Sequence, residues 1–213
     1  MNTSLRSLAV AVAAVSATGL ATAQQNVLKV GIADYTTHSK SNGVTGIGVP
    51  AGADAQTGDA VTVLFEIERY LTPNWGVELA LGLPPRIKAK ATGSVAFLGD
   101  DILSAKNVTP TLFVNYHFGS EGDRWRPYIG LGINYTRFVG IQSRLASDVR
   151  MSDSVGPAGK IGLEYVLSRQ WSLFTSVSAL RVKTDLVASG STVLQTTIDL
   201  RPVVYSFGAA YRF

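Results

Sequence analysis

The sequence contains no cysteine, only two histidines and, beyond residue 23, no long uninterrupted apolar run. The absence of cysteine excludes disulfides, thiolate metal ligands and cysteine nucleophiles. Gly, Lys, Glu or Ser interrupts every later apolar segment well before the roughly 20 residues that a membrane-spanning helix needs. Lysine and arginine are scattered along the chain, so the formal net charge of +4 is weak support for nucleic-acid binding. We therefore expect no nucleic-acid partner.

The first 23 residues have the pattern of a cleaved secretory signal peptide. Arg6 supplies a short positive region, residues 8–15 form a compact apolar run, and residues 21–23 form an A-x-A cleavage site. A permanent helical anchor is the alternative, but the apolar run is too short to span a bilayer. We expect residues 1–23 to be removed and residues 24–213 to form the mature protein.

The mature chain shows about eight segments in which apolar side chains occupy alternate positions, the period of β-strands. The opposite faces carry small and charged residues, as where Val77 and Leu79 alternate with Gly76, Glu78 and Ala80. The segments lie near residues 26–34, 61–70, 76–82, 111–118, 129–136, 160–165, 172–183 and 203–213.

Alternation alone fits a soluble β-sandwich or lipocalin as well as a membrane barrel, but the connections favour the barrel. Short connections near Thr72, Gly119 and Ser168 alternate with long ones, as periplasmic turns alternate with external loops in outer-membrane barrels. The long connections are residues 36–59, 91–107, 139–153 and 185–196.

Aromatic residues give a second reason to favour the barrel. They cluster at strand ends on the side of the short connections, where an interfacial girdle is expected. The girdle candidates are Tyr70, Trp75, Tyr116, Phe118, Trp125, Tyr128, Tyr165 and Trp171. The last strand also ends with Tyr211 and Phe213, an ending that no soluble fold requires.

Strands can span hydrocarbon only when their sheet closes, because every backbone polar group must be paired. The sequence therefore predicts an all-β fold: an eight-stranded antiparallel transmembrane β-barrel with short periplasmic turns and long extracellular loops. We place it in the outer membrane of a Gram-negative bacterium. The interior of so small a barrel is nearly filled by side chains, although inward glycines and alanines leave room for a narrow lumen.

Several stretches resemble the outer membrane protein W family. They are residues 76–79, 110–112, 126–136, 159–165 and 211–213, so the resemblance extends over nearly all of the mature chain. It implies an eight-stranded barrel and an association with passage of small hydrophobic molecules across the outer membrane, as in the alkane-uptake members. The resemblance supports the shared barrel fold more firmly than it supports a shared activity.

The resemblance also implies a constriction of the lumen by bulky apolar side chains from the third and seventh strands. The matching positions here are Ala80 and Ser178, and both are small. A constriction would then have to come from other inward residues. The candidates are Leu64, Phe113, Phe174 and Leu180.

A further implication of the resemblance is lateral escape of the solute through the barrel wall near the outer end of the third strand. Pro84 and Pro85 lie there, and proline cannot donate to a β-ladder. We expect this pair to interrupt strand pairing at an exit. The alternative is a strand end that simply enters a loop.

Charged residues recur on the inward faces. They are Lys29, Glu66, Glu68, Glu78, Lys160, Glu164 and Arg212. Paired carboxylates can perform acid/base chemistry, but a lumenal ion-pair network that satisfies buried charge is the better interpretation. His38 lies in the first long loop and His117 near a periplasmic turn, so the two cannot share a catalytic site.

We therefore expect no enzymatic activity and no cofactor. Asp100, Asp101, Asp148 and Asp153 fall in loops without metal-ligand spacing, and we expect them to be solvated. The glycines of residues 130–132 lie inside a strand, so they do not open a helix to cradle a phosphate.

Two functions remain open. The first is a passive, porin-like conduit for small hydrophobic solutes, and apolar residues in the long loops support it. These residues are Val44, Ile47, Val49, Val95, Phe97, Leu98, Ile102, Leu103, Ile141 and Leu145. The second is a non-transporting surface barrel with a plugged lumen, whose extracellular loops bind a partner through an external apolar patch. In either case we expect contacts with outer-membrane lipid and lipopolysaccharide. We also expect recognition by the barrel-assembly machinery through the C-terminal strand that carries Tyr211 and Phe213.

Overall fold

The computed structural model describes residues 25–41, 43–46, 49–144, 146, 148–189 and 193–213; for residues 38–41 and 193–194 only the backbone is described. The strands are β1 (Asn26–Ser41), β2 (Thr45–Gly46), β3 (Ala53–Thr57), β4 (Ala60–Tyr70), β5 (Trp75–Gly82), β6 (Arg86–Gly93), β7 (Leu103–Val108), β8 (Thr111–His117), β9 (Trp125–Ser143), β10 (Asp148–Met151), β11 (Ser154–Val166), β12 (Trp171–Leu180), β13 (Val182–Ser189) and β14 (Val193–Arg212). A short 3-10 helix covers Ala96–Leu98.

Eight of these strands form a closed antiparallel ring in the order β1, β4, β5, β8, β9, β11, β12 and β14. The ring closes where β14 pairs with β1, from Val27 opposite Arg212 to Ser41 opposite Ile198. Closure pairs the backbone of the wall with itself, which is what a sheet in hydrocarbon requires. The predicted eight-stranded barrel is confirmed.

The two faces of the wall match the alternation in the sequence. Leu131 is 77% exposed and Phe207 is 56% exposed, whereas Glu66 and Lys160 are almost completely buried. A soluble protein keeps large contiguous apolar surfaces out of water, so an apolar exterior around a charged interior requires lipid outside. This finding excludes the soluble sandwich and the lipocalin.

The long connections were predicted as loops, but most of their residues are in strands. β6 and β7 form a hairpin whose outer edges pair with β3 and β9, and β10 and β13 pair beside β14. They extend the barrel wall beyond the membrane. Sequence analysis did not predict these strands because pairing with one another and with the barrel strands satisfies their backbone groups, so a strong local β-pattern is not needed.

The seventh predicted segment, residues 172–183, is also divided differently. β12 ends at Leu180, and β13 begins at Val182 and continues to Ser189. Val182 and Leu186 are buried while the intervening Lys183 is exposed, so the alternation simply continues past the end that the sequence suggested.

The predicted aromatic girdle is wrong at two positions. Tyr70 and Tyr128 point into the barrel and are buried. Tyr70 lies two residues after Glu68, and Tyr128 lies two residues before Gly130, so both fall on the inward faces of their strands. The other six girdle candidates lie on the outer face, with Trp125 60% and Trp171 51% exposed.

Residues 1–23 lie outside the described residues, so the signal peptide stays a prediction. Within the described ranges, no helix has the length and apolar character needed to cross a membrane.

Candidate functional site

The lower half of the barrel interior is filled by a network of buried ion pairs. The Lys29 ammonium lies 2.8 Å from Glu68 Oε2, 2.6 Å from Glu78 Oε2 and 4.0 Å from Glu66 Oε2. The Lys160 ammonium lies 2.6 Å from Glu66 Oε1 and also bonds Glu78. Two lysines therefore alternate with three carboxylates from neighbouring strands, so each charge has an opposite partner.

Strand register brings these side chains together. Lys29 on β1 lies opposite Glu66 on β4, and Glu68 lies opposite Glu78 on β5. Lys160, on β11, reaches the group from the other side of the lumen. The alternation of the sequence predicted the inward direction of all these residues, and the closed ring determines which of them meet.

The sequence predicted that inward glycines leave room for a narrow lumen, but two of them lie against large polar side chains. A Cβ at Gly76 would collide with the Glu68 carboxylate, and a Cβ at Gly162 would collide with the Tyr128 ring. These glycines make room for large polar side chains, which then occupy the space.

A second polar layer lies nearer the periplasm. His117 Nε2 lies 2.8 Å from Glu68 Oε1, and Asn115 donates to the same oxygen at 2.9 Å. The Tyr70 hydroxyl lies 3.2 Å from the His117 ring nitrogens. At the far side Arg212 Nη2 lies 3.5 Å from Glu164 Oε1.

Sequence reasoning missed several members of these layers. They are Tyr70, Asn115, His117, Arg126 and Tyr128, all of them buried. The sequence could have identified them, because the alternation along each strand places all five on its inward face. Sequence analysis considered His117 only as a partner for His38 and not as a member of the inward network.

Most of the constriction candidates lie just above the network. Leu64, Ala80, Phe113, Ser178 and Leu180 line a cavity of about 30 Å³, room for roughly one water. Phe174 lies deeper, with its ring centroid 5.8 Å from the Lys29 ammonium. The cavity borders the charged network directly, because Glu66 and Lys160 also line it.

A larger cavity, about 380 Å³ in volume, lies at the extracellular end. It is enclosed by β3, β6, β7, β10 and β13 together with the ends of β9 and β14. Apolar side chains dominate its lining, among them Val44, Val49, Val95, Phe97, Leu98, Ile102, Leu103, Phe138, Met151, Leu186, Ile198 and Leu200. We call it the apolar cup. Ile141 lies outside the lining, and Ile47 and Leu145 fall outside the described residues.

The barrel wall is interrupted next to Pro84 and Pro85. Backbone pairing between β5 and β8 ends where Ala80 lies opposite Thr111. Within the described residues, the next backbone hydrogen bond between these two segments runs from the Asn107 N–H to the Pro85 carbonyl, at 3.4 Å.

The two chain segments that border this interruption differ in length by one residue. Six residues lead from Ala80 to Arg86, but five lead from Thr111 to Lys106, which lies opposite Arg86, so the register shifts by one residue. Pro84, Pro85 and also Pro110 lack an N–H at this point. The segment is not a strand end entering a free loop, since β6 resumes pairing directly above it.

The two C-terminal aromatics lie on the outer face at the periplasmic end. The Tyr211 ring packs on Trp171 with 4.9 Å between centroids, and Phe213 is 61% exposed. The Phe213 N–H donates to the Asn26 carbonyl at 2.9 Å, and the Asn26 N–H donates back to Phe213 at 3.0 Å. The backbone of this ending therefore closes the barrel, while its rings face lipid.

The acidic loop residues lie in surface ion pairs and hydrogen bonds. Asp101 is 2.8 Å from the Lys88 ammonium, Asp148 is 3.1 Å from Arg150, and Asp153 accepts from the Tyr135 hydroxyl. No set of three or more histidine or acidic side chains in the described part of the chain is placed to hold a metal ion.

Comparisons with known proteins agree with this architecture. The OmpW family model matches residues 23–213. Outer membrane protein W of Escherichia coli (strain K12) is 36% identical over 152 residues, which cover 67% of this chain and 68% of that protein. Outer membrane protein AlkL of Ectopseudomonas oleovorans is 30% identical over 170 residues, covering 79% of this chain and 73% of that protein.

One further relative and one solved structure complete the comparison. The dibenzothiophene metabolism operon protein PahQ of Pseudomonas aeruginosa is 27% identical over 167 residues, covering 78% of this chain and 77% of that protein. The crystal structure of OprG from Pseudomonas aeruginosa has a TM-score of 0.83 at 24% identity, covering 90% of this chain and 96% of that one, and shows the shared fold. The chain therefore belongs to the OmpW family and is an eight-stranded β-barrel of the Gram-negative outer membrane.

Proposed function

We propose that this barrel is a passive conduit for small hydrophobic molecules, which enter through the apolar cup and leave sideways into the membrane. The observation that carries the proposal is the apolar cup itself, about 380 Å³ in volume, enclosed by the extracellular strands and mostly apolar in its lining. Its volume lies at the lower end of the range of ligand pockets, which favours compounds of low molecular weight.

The charged network supports a sideways exit. Glu66, Glu78 and Lys160 fill the axis of the barrel below the cup and are almost completely buried. An apolar solute that moved along the axis would have to separate these ion pairs and leave buried charges without partners, at a cost of several kcal/mol. The path of lowest free energy therefore leaves the lumen above the network.

The wall lacks backbone pairing between neighbouring strands at that height, which would favour an exit there. The 30 Å³ cavity is lined by Ala80 and Gly82 from one side of the interruption and by Thr109 and Thr111 from the other. The unpaired stretch is three or four residues long, about 10–13 Å at the rise of a strand. Leu81 and Leu83 face outward beside it, so a solute that crosses the wall there enters an apolar surrounding.

The name of one relative agrees with an apolar substrate. PahQ is named for an operon of dibenzothiophene metabolism, and dibenzothiophene is a small, uncharged aromatic compound. We extend to this chain only the substrate class, a small hydrophobic solute.

The competing proposal is a surface barrel whose loops bind a partner. It predicts that the loop residues form an external apolar patch, whereas seven of the ten predicted loop residues line the apolar cup. The lumen filled by charge fits both proposals. The position of the loop side chains therefore favours the conduit.

Uptake into liposomes tests the conduit. Purified, refolded protein is reconstituted into liposomes, and entry of a hydrophobic fluorescent dye or an alkane is compared with entry into empty liposomes. We expect faster uptake with the protein, and slower uptake of a charged analogue of the dye. Equal uptake by protein-containing and empty liposomes would remove the proposal and leave the surface barrel.

A further inference from the structure

The lipid-facing wall has a groove on the side formed by β8, β9, β11 and β12. Its volume is about 620 Å³. Gly159 and Ala179 lie opposite each other on β11 and β12 and form a floor almost without side chains. A Cβ added to Gly159 would meet no heavy atom within 4 Å. Leu131 and Ile161 rise beside this floor.

A basic cluster lies at the extracellular end of the groove. Arg181 follows Ala179 by two residues on the same outer face, and the shared register of β12 and β13 with β14 places it opposite Arg201. Lys183 is exposed and lies opposite Asp199. The side chains of Arg181 and Arg201 are 58% and 53% exposed.

The carboxylate of Asp199 forms ion pairs with both arginines of this cluster. Asp199 lies 2.9 Å from Arg201 and 3.3 Å from Arg181. The hydrogen bond from Arg201, and next to it the one from Arg181, holds the pKa of Asp199 below its usual value, so it is ionised at neutral pH. Asp185 follows Lys183 by two residues on the same outer face, so three cations stand against two carboxylates and the cluster keeps an excess of positive charge.

We propose that the groove and the basic cluster together bind one phosphorylated lipid of the outer leaflet, lipopolysaccharide, through its lipid A. The phosphate lies against Arg181, Arg201 and Lys183, and an acyl chain lies over Gly159 and Ala179. This binding site is separate from the solute path, because it lies on the outside of the wall.

Charge and depth both select this occupant. Arg181 lies two residue steps beyond Ala179, about 7 Å along the strand, so an anionic headgroup and the start of its acyl chain are matched by adjacent features of one wall. A neutral lipid would fill the groove but leave the excess positive charge without a partner. A free phosphate would satisfy the charge but leave the groove empty.

A second copy of the chain is a poorer occupant. A two-fold interface places the same surface on both subunits. Packing two such grooves together in the membrane would bring the basic cluster of one copy towards that of the other. Like charges would then oppose the association.

Lipid binding to the refolded barrel in detergent, followed by native mass spectrometry, tests the proposal. The probes are bis-phosphorylated lipid A, the same lipid after dephosphorylation, and inorganic phosphate. We expect a one-to-one complex with the phosphorylated lipid, affinity for the dephosphorylated lipid at least about tenfold weaker, and no displacement by inorganic phosphate at the same concentration.

Two variants separate the two halves of the site. Arg181→Gln with Arg201→Gln removes two cations and should weaken binding roughly 20-fold, since a cation near an anionic lipid contributes about fivefold. Gly159→Leu fills the groove and should also weaken binding, although the cations are intact. Arg150→Gln and Val61→Leu change an exposed cation and an outward side chain elsewhere, and should bind as the wild type does.

The heat-dependent gel migration of folded barrels checks that each variant is folded. Equal binding of phosphorylated and dephosphorylated lipid A, or normal binding by folded Gly159→Leu, would overturn the proposal. So would a dimer in the mass spectrum that Gly159→Leu abolishes, because the groove would then be an interface between copies. Dye uptake by the arginine variant should equal that of the wild type, so this test is independent of the conduit.

Discussion

The Lys29 ammonium lies 2.6 Å from Glu78 Oε2, although 49 residues separate the two in the chain. Neither side chain has access to solvent, and β4 lies between their strands. The pair can form only because both side chains reach inward past β4 to the barrel axis. This ion pair links side chains of non-adjacent strands into one layer across the lumen.

Removing one charge from this layer should destabilise the barrel. Glu78→Gln leaves both Lys29 and Lys160 without one of their carboxylates, and breaking a buried pair from one side costs about 3–5 kcal/mol. We expect a loss of this size in the free energy of unfolding, measured by urea titration of the reconstituted protein with tryptophan fluorescence.

The matched control for Glu78→Gln is the pair of changes Lys29→Met with Glu78→Gln. It removes both partners, so the loss should be smaller than the sum of the two single losses by about 0.5–3 kcal/mol. Additive losses would show that Lys29 and Glu78 do not interact in the membrane.

Restoring backbone donors beside the wall interruption should slow uptake. Pro84→Val with Pro85→Thr supplies two N–H groups and favours continued pairing of β5 with the chain before β8. We expect several-fold slower dye uptake into liposomes with no loss of stability. Pro127→Val, at the periplasmic end of β9, is the control and should leave uptake unchanged. Unchanged uptake by the Pro84 and Pro85 variant would dismiss a lateral exit at this site.

A charge in the apolar cup should block entry of hydrophobic solutes. Leu186 is buried and lines the cup, whereas its neighbour Val187 faces outward and is 38% exposed. Leu186→Glu places a carboxylate on the solute path, and we expect uptake to fall by at least about tenfold because an apolar solute cannot satisfy that group. Val187→Glu adds the same charge outside the cup and should retain uptake. Similar rates for the two variants would contradict entry through the cup.

The terminal aromatic ring should matter for assembly more than for folding. Phe213→Ala keeps the two backbone hydrogen bonds to Asn26 and removes only an exposed ring. We expect normal refolding in detergent but a lower yield in the outer membrane of cells, measured by cell fractionation. Phe207→Ala, an outward change within the same strand, should assemble normally. A refolding defect in Phe213→Ala would show that the ring contributes to stability instead.

The faces of the strands could be predicted from the sequence because a strand alternates locally. Leu131 and Gly130 face opposite sides whatever their partners are, so the two faces of each strand follow from a period of two. The alternation of short and long connections and the positions of the aromatic residues then predicted that the apolar face meets lipid around a closed barrel. Tyr70 and Tyr128 show where a prediction from residue type fails. Alternation along their strands places them inside the barrel, where they are buried, whereas their aromatic character suggested the girdle.

The extracellular strands could not be predicted in the same way. β3 and β6 lie within segments rich in glycine and polar residues, and each depends on hydrogen bonds to the other, from Ala53 opposite Gly93 to Thr57 opposite Ala89. The apolar cup that they enclose was visible in the sequence only as an excess of apolar residues in supposed loops.

The sequence by itself determined the fold class, the parity of each strand and the set of charges that point inward, because these depend on neighbours along the chain. Only the tertiary structure decided that Lys160 meets Glu66, that pairing fails between Ala80 and Asn107, and that Arg181 lies beside Arg201 above a groove. Those contacts depend on the register between strands far apart in sequence, and register is set by closure of the whole ring.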